Sequence, residues 1–528
     1  MTGESEPDRG ATVRTVLEIA AIGCLFAAAA TWPAPDVNEA VYLTKARHAA
    51  DPAWAAGDFF LETPDAHGVF YLLFGPLAAA LPLEQAAWVG RVLGWLAVAI
   101  GFRHAIVPLV ATAWGRIIAA ALFSLALRHT TMAGEWVLGG CEAKVFAWAF
   151  VLGGVGEWLR GRFATAWLLT CVATAWHPIV GGWALVALVL AGASRRRQWP
   201  SAWQAGVMVV GLVLAAAGVI PALGLSAGAD AATRAAAAKI YVVERLHHHL
   251  LPRTFAEAFV ARHLLAVAMW WIVNRLASPT AARQRLTAFT LGALAISAGG
   301  VVVSLLEAVA PAAAYGLLRF YWFRLADVIV PLALAAAVAA VLERDAETAR
   351  AFGMAPRLVR LAVAVLLVLD LAAQSAHWPL PGRPALAARA DAKVDPGGWA
   401  DICLWVRTHT PADACFITPR GSATFTWRTD RREVVSWKNS PQDAASLVAW
   451  RTRITDCFAP RTALAGMEQS TAALGPDRVR RVAARYGATH AIVPLDAPRL
   501  AEMPGERLHD NGIYAVYRLP PPSASNPR

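Results

Sequence analysis

The chain has 528 residues, 57% hydrophobic and 16% charged, with a mean hydropathy of +0.46, which excludes an ordinary soluble globular protein. Its net charge of +11 does not describe a nucleic-acid footprint, because the arginines sit in short clusters between apolar runs rather than on one soluble face. The six cysteines show no C-x-x-C spacing and so exclude a zinc or redox-pair framework, although Cys403, Cys415 and Cys457 leave room for one disulfide.

The first apolar run, Val16 to Trp32, follows Arg9 and Arg14 and admits two readings, a secretory signal or a first spanning helix. Its length and the missing cleavage pattern favour an uncleaved helix. A crossing needs about 20 apolar residues, and on that measure about eleven spans are predicted. They lie near 13–32, 86–104, 116–131, 142–159, 163–178, 179–194, 203–222, 258–276, 286–306, 321–342 and 358–376. The basic clusters at Arg103 and Arg116, Arg160 and Arg162, 194–197, 274–285 and 343–360 all fit the cytoplasmic side. The outer face then owns 33–85, 132–141, 223–257, 307–320 and everything after about 377. This parity requires that 68–83, which contains Gly75, Pro76 and Pro82, lie in the membrane or re-enter without crossing.

From Ala388 the apolar runs shorten and turn residues appear. Strands are predicted at 414–419, 432–437, 489–495 and 513–519, with helices around 398–409, 441–456 and 476–486. The expected fold class is mainly α: a polytopic transmembrane helical bundle over 1–376, then a small extracytoplasmic α/β domain over 388–520 and a disordered tail at 521–528. The N-terminus is expected in the cytoplasm.

Chemistry concentrates in the outer loops. Helical spacing sets Glu39 in the first turn of a helix with Tyr42 on the same face, and Asp36 or Asn38 is placed to cap it. The second loop carries Glu135, Glu142 and Lys144 with three glycines, and carboxylates near hydrocarbon face a cavity or a partner. Glu142 and Lys144 are two residues apart, which on a helix points them to different sides. Arg319 and Arg324 flank Tyr321 and Trp322 where a span begins, and an arginine fork matches phosphate oxygens. His247, His248 and His249 are consecutive, which suits one metal poorly, and His177 marks a helix break.

The stretch "NEAVYLTKA…GDFF…DAHGVFYLLFGPLAAALPLEQAAWVGRVLG" resembles the first module of the GT-C superfamily, the integral-membrane glycosyltransferases that use polyprenyl-phosphate sugars. The matching positions are Glu39, Tyr42, Ala46, Gly57, Asp58, His67 and Arg91. "MAGEWVLGGCEAKVFAWAF" resembles the second acidic motif of oligosaccharyltransferase catalytic subunits at Ala133, Gly134 and Glu142, and "WVRTHTPADACFITP" is similar to the opening of the soluble domain in such enzymes. "SWKNSPQD", 436–443, and the N-E-x-x-Y loop also resemble an uncharacterised bacterial family of polytopic proteins with a C-terminal domain of unknown function.

The resemblance implies residence in a bacterial inner membrane and transfer of a sugar from a polyprenyl-phosphate donor to an extracytoplasmic acceptor. Catalytic carboxylates would come from Glu39, Glu142 and Glu135, with substrate held by Asn38, His67, Lys144, Arg319 and Arg324. A divalent metal is admitted but not required. The implied partners are the lipid-linked sugar and membrane lipids, with no nucleic acid. The competing reading is a non-catalytic scaffold of the same fold, or a protein that handles or transports the lipid carrier.

Overall fold

The structure is a computed structural model describing residues 9–193, 201–343, 356–461 and 464–521, apart from 379, 381 and 383–385. The basic cluster expected at 194–197, most of the one at 343–360 and nearly all of the tail at 521–528 lie outside the described residues. In chain order the helices are α1 Arg9–Ala30, α2 Glu39–Ala50, α3 Gly68–Ala80, α4 Leu83–Ile106, α5 Ala113–His129, α6 Ala143–Leu159, α7 Phe163–Trp176 and α8 Pro178–Ala193. They continue as α9 Ala202–Gly224, α10 Ala231–Lys239, the short α11 His247–Leu250, α12 Glu257–Leu276, α13 Ala281–Leu305, α14 Pro311–Leu318, α15 Ala326–Glu343 and α16 Pro356–Ser375. The C-terminal region adds α17 Pro396–His409, α18 Phe425–Thr429, α19 Ala444–Phe458 and α20 Pro476–Tyr486.

The described residues contain five helices long and apolar enough to cross a membrane, α1, α4, α9, α13 and α15, with α3, α7 and α8 as shorter apolar helices. At 1.5 Å per residue, the 13 residues of α3 reach only about 20 Å, short of the roughly 30 Å hydrocarbon core. Helix α15 is buried along nearly its whole length, so it is apolar all round and forms the centre of the bundle against α5, α12 and α13. Small residues let neighbouring backbones approach. A Cβ on Gly101 of α4 would collide with the Ala149 carbonyl of α6, and one on Gly94 would lie 3.0 Å from Val145. Phe26, Phe102 and Phe123 stack edge and face to tie α1, α4 and α5 together.

The span expected from 321 begins instead at Ala326. Tyr321 stands at φ 54°, in the left-handed region where a bulky side chain is disfavoured, so residues 319–325 form a turn rather than a helical start.

The C-terminal domain is a five-stranded sheet in the order β2-β1-β3-β5-β4, with β1 Cys415–Ile417, β2 Arg432–Glu433, β3 His490–Pro494, β4 Glu506–Asp510 and β5 Tyr514–Arg518. The β1–β2 and β1–β3 pairs are parallel, while β5 runs antiparallel to β3 and β4. Asp395 and Asp443 cap α17 and α19 by accepting from the Gly398 and Ser446 amides. Cys403, Cys415 and Cys457 are buried thiols and form no disulfide. The domain is tied to the bundle by ion pairs from Arg451 to Glu244 (2.7 Å) and from Arg389 to Asp36 (3.3 Å). The Glu433 amide also donates to Asp58 Oδ2 at 3.0 Å.

Candidate functional site

A cavity of about 730 Å³ opens where α2, α7, α8, α9 and the loop before α15 meet the C-terminal domain. One wall is apolar, built by Ile179, Trp183, Val186, Val219 and Leu223 from α8 and α9. The polar lining residues include Asn38, Asp65, His67, Glu142, Lys144, His177, Arg245, Arg319, Arg324 and Lys438. A smaller chamber of about 110 Å³ shares Asn38, Lys144, Tyr321, Arg324 and Lys438 with it and adds Glu135, Trp136 and His249.

The first loop delivers side chains in two directions. Asn38 stands at the N-cap of α2 but makes no side-chain cap; its amide instead donates to Glu142 Oε2 at 3.3 Å. Glu39 turns away from the cavity. It is fully buried and takes Arg91 Nε at 2.9 Å, Arg91 Nη2 at 2.6 Å, the Cys141 amide at 2.7 Å and the Asp36 amide at 2.9 Å. Those four donors leave its carboxylate no open direction. One turn on, Tyr42 faces the cavity with its hydroxyl 3.4 Å from His67 Nε2, while Asp65 Oδ1 holds His67 Nδ1 at 2.5 Å. Burial pushes the Asp65 carboxyl up, but the His67 charge and hydrogen bonds outweigh it and hold the group at about 2.

The second loop supplies the carboxylate that does reach the cavity. Glu142 occupies the N-cap of α6 with an extended backbone, and its side chain is buried among Asn38, Trp136 and Lys144. Lys144 lies 3.6 Å from Glu142 and 3.9 Å from Glu135, with its ammonium over the Trp136 ring. The two-residue spacing does not separate Glu142 from Lys144 because Glu142 precedes the helix. Glu135 lies in the smaller chamber, paired with Arg324 at 2.7 Å and accepting from Trp148. The loop is held by a residue the sequence did not single out. Asp327 of α15 accepts from the Met132, Ala133 and Glu135 amides.

Arg319 reaches Ser226 at 3.2 Å and Arg324 lies over the Tyr321 ring, whose hydroxyl is 3.0 Å from that of Tyr241. Of the three consecutive histidines, His249 is turned to the Ala133 carbonyl at 2.5 Å. No group of three His, Cys, Asp or Glu side chains among the described residues is arranged around a metal position. The cavity carboxylates Asp65 and Glu142 are engaged by different partners, the His67 ring and the Lys144 ammonium, and do not converge on one position.

Sequence reasoning missed Arg245 and Lys438. The signal for Lys438 was present: in 436–443 the even positions Lys438, Ser440 and Gln442 line the cavity. The odd positions turn inward, Trp437 against Trp450 and Asn439 onto Glu433 at 3.0 Å. The chain bends at 437–438 and at 442–443, so this division is local and does not come from a continuous strand.

The fold and site define a membrane-type helical bundle whose end is closed by an α/β domain over an amphipathic cavity. A family model described as a domain of unknown function (DUF6798) matches residues 397–457, which include the cavity-lining segment. No curated protein matches the chain. Among solved structures the chain is similar to the arabinofuranosyltransferase AftD from Mycobacteria, with a TM-score of 0.48 and 16% identity over 98% of this chain and 42% of that one. The chain thus spans less than half the length of that protein.

Proposed function

We propose that this protein is a GT-C-type membrane glycosyltransferase that moves a sugar from a polyprenyl-phosphate donor to an acceptor hydroxyl on the outer side of a bacterial inner membrane. The observation that carries the reading is that one cavity combines apolar side chains from α8 and α9 with a cluster of cations and the Glu142 carboxylate. An isoprenoid chain buries favourably against the first, and its phosphate is stabilised by the second. In the transfer, the bond from the sugar C1 to the phosphate oxygen breaks and the acceptor oxygen bonds to C1. The acceptor proton passes to a Glu142 carboxylate oxygen, and the bonding electrons leave with the phosphate. Lys144, Arg319 and Arg324 stabilise the charge that develops there. Asn38 orients the Glu142 carboxylate, and the Asp65–His67–Tyr42 chain orders polar groups on the same cavity for the hydroxyl-bearing acceptor.

The test is a transfer assay with a polyprenyl-phosphate sugar in reconstituted membranes. Glu142→Gln abolishes transfer while expression and folding stay at the wild-type level; retained turnover would rule the assignment out. A non-catalytic role in holding the lipid carrier is favoured by one observation, the complete engagement of Glu39 by Arg91 and two amides. Lipid binding without turnover for any donor would decide for that reading.

A further inference from the structure

Three cations on the cavity, Arg245, Arg319 and Lys438, make no ion pair among the described residues, and of these Arg319 is held by the Ser226 hydroxyl. Lys144 is matched by Glu142, Arg324 by Glu135 and the His67 ring by Asp65. Arg245 and Lys438 line the same cavity, and neither makes an ion pair to any of the described residues. The Arg245 Nε is buried without a hydrogen-bond partner, and its guanidinium lies 5.5 Å from the Trp437 ring centroid. The Lys438 ammonium likewise has no protein acceptor among the described residues and borders both the cavity and the smaller chamber. Burial, then the nearby Arg245 charge, lowers Lys438 to about 8, so the two cations repel one another.

Their placement is specified rather than incidental. Arg245 closes a π-helical turn, Ile240–Arg245, in which the Leu246 amide reaches back to the Tyr241 carbonyl at 2.9 Å. Such turns insert an extra residue and re-aim side chains, frequently at functional sites. Lys438 is aimed by the anchors on either side of it, the Ser436 carbonyl accepting from Trp450 Nε1 at 3.1 Å and Asn439 bonded to Glu433. Burying unpaired cations side by side is unfavourable in the free protein, and an external anion relieves it.

We propose that Arg245 and Lys438 together form a phosphate-binding site, in which the C-terminal domain supplies one of the two cations that grip the head group of the lipid carrier. The site deepens the transferase reading, on which it rests for the identity of the lipid. It adds to Arg324, which Glu135 already pairs, two cations that no carboxylate pairs. Because one cation comes from the bundle and one from the C-terminal domain, phosphate binding clamps the two parts together.

The test is isothermal titration calorimetry on the full chain in nanodiscs with farnesyl phosphate, farnesol and inorganic phosphate, beside thermal melts of each variant. Lys438→Met and Arg245→Gln each weaken farnesyl phosphate binding by about ten- to hundred-fold, leave farnesol unaffected and do not lower Tm; Lys438→Arg retains binding. Inorganic phosphate weakened in the same proportion supports the site and assigns it to phosphate from either source, while binding confined to farnesyl phosphate supports it and assigns it to the lipid. Unchanged affinity in both variants, or an equal loss for farnesol, overturns the site. Should a variant fail to fold, the wild-type protein answers: farnesyl phosphate must protect Lys438 from an amine-acylating reagent in peptide mass spectrometry, and an absence of protection overturns the proposal. None of these measurements needs turnover. A chain that binds phosphate through these cations yet never transfers sugar sinks the transferase reading and leaves the site standing.

Discussion

The Arg91 guanidinium of α4 forks onto Glu39 at the start of α2, with Nε 2.9 Å from Oε1 and Nη2 2.6 Å from Oε2, and both side chains are fully buried. The pair fastens the first loop to the bundle and, through the Cys141 amide, to the second loop as well. Breaking a buried ion pair leaves an uncompensated charge, so Glu39→Gln or Arg91→Met should each cost about 3–5 kcal/mol of stability. The double variant, Glu39→Leu with Arg91→Met, recovers only part of this because the Asp36 and Cys141 amides still lose their acceptor. Thermal melts of the purified protein measure both effects.

Lys438 gives phosphate binding a pH dependence. Its ammonium faces Arg245 and Lys144, which disfavour the charge, and Glu142 and Asp36, which favour it; burial is the largest influence and the group titrates at about 8. The charged form binds the anion, so affinity is full well below pH 8 and falls as pH rises through it. Calorimetry from pH 7 to 9 should show this decline in the wild type and not in Lys438→Arg.

Glu433 predicts the opposite kind of experiment, on folding. Burial, then the Asp58 carboxylate, raises it from an ordinary 4.5 to about 8, with Thr418 and Asn439 donating to its oxygens. Between those values the folded state binds a proton that the unfolded state has lost. This contribution is therefore fully present below about pH 4.5 and is lost as pH rises through 8. Glu433→Gln should flatten that slope, measured as Tm from pH 5 to 9. An unchanged slope would show that Glu433 stays ionised throughout.

Gly182 lies on the apolar wall, and a Cβ there would meet no atom within 4 Å. Gly182→Leu should therefore fold normally and fill space meant for the lipid. In the transfer assay KM for a long-chain donor should rise roughly ten-fold with kcat little changed, since an apolar group of this size is worth about 1–3 kcal/mol in a pocket. An effect on kcat alone would remove Gly182 from the lipid path.

What the sequence made legible was whatever depends on local pattern. Long apolar runs mark the helices, and short, nearly continuous apolar runs bounded by turn residues mark β1, β3 and β5, which are buried along almost their whole length. The edge strand Glu506–Asp510 escaped because its polar residues are mostly exposed and form no such run. The predicted strand 432–437 pairs only at Arg432 and Glu433, and the cavity-lining Lys438 follows just beyond it. Among the acids, sequence identified Glu39 and Glu142 alike. Nothing local separates them, because the difference is made by Arg91, 52 positions away in the chain, which turns one inward and leaves the other on the cavity. Asp327 was invisible for the same reason, since it bonds amides almost 200 residues distant.

The alternating face of residues 438, 440 and 442 works as a reading frame. Substitutions at even positions should alter what the cavity accepts, whereas those at odd positions should loosen the domain itself, so the two phenotypes interleave residue by residue. A single-residue deletion between Glu433 and Lys438 would draw Lys438 out of line with its anchors, the Ser436 carbonyl on Trp450 and Asn439 on Glu433. Point changes along this segment are therefore tolerable one at a time, but its length is not free to drift.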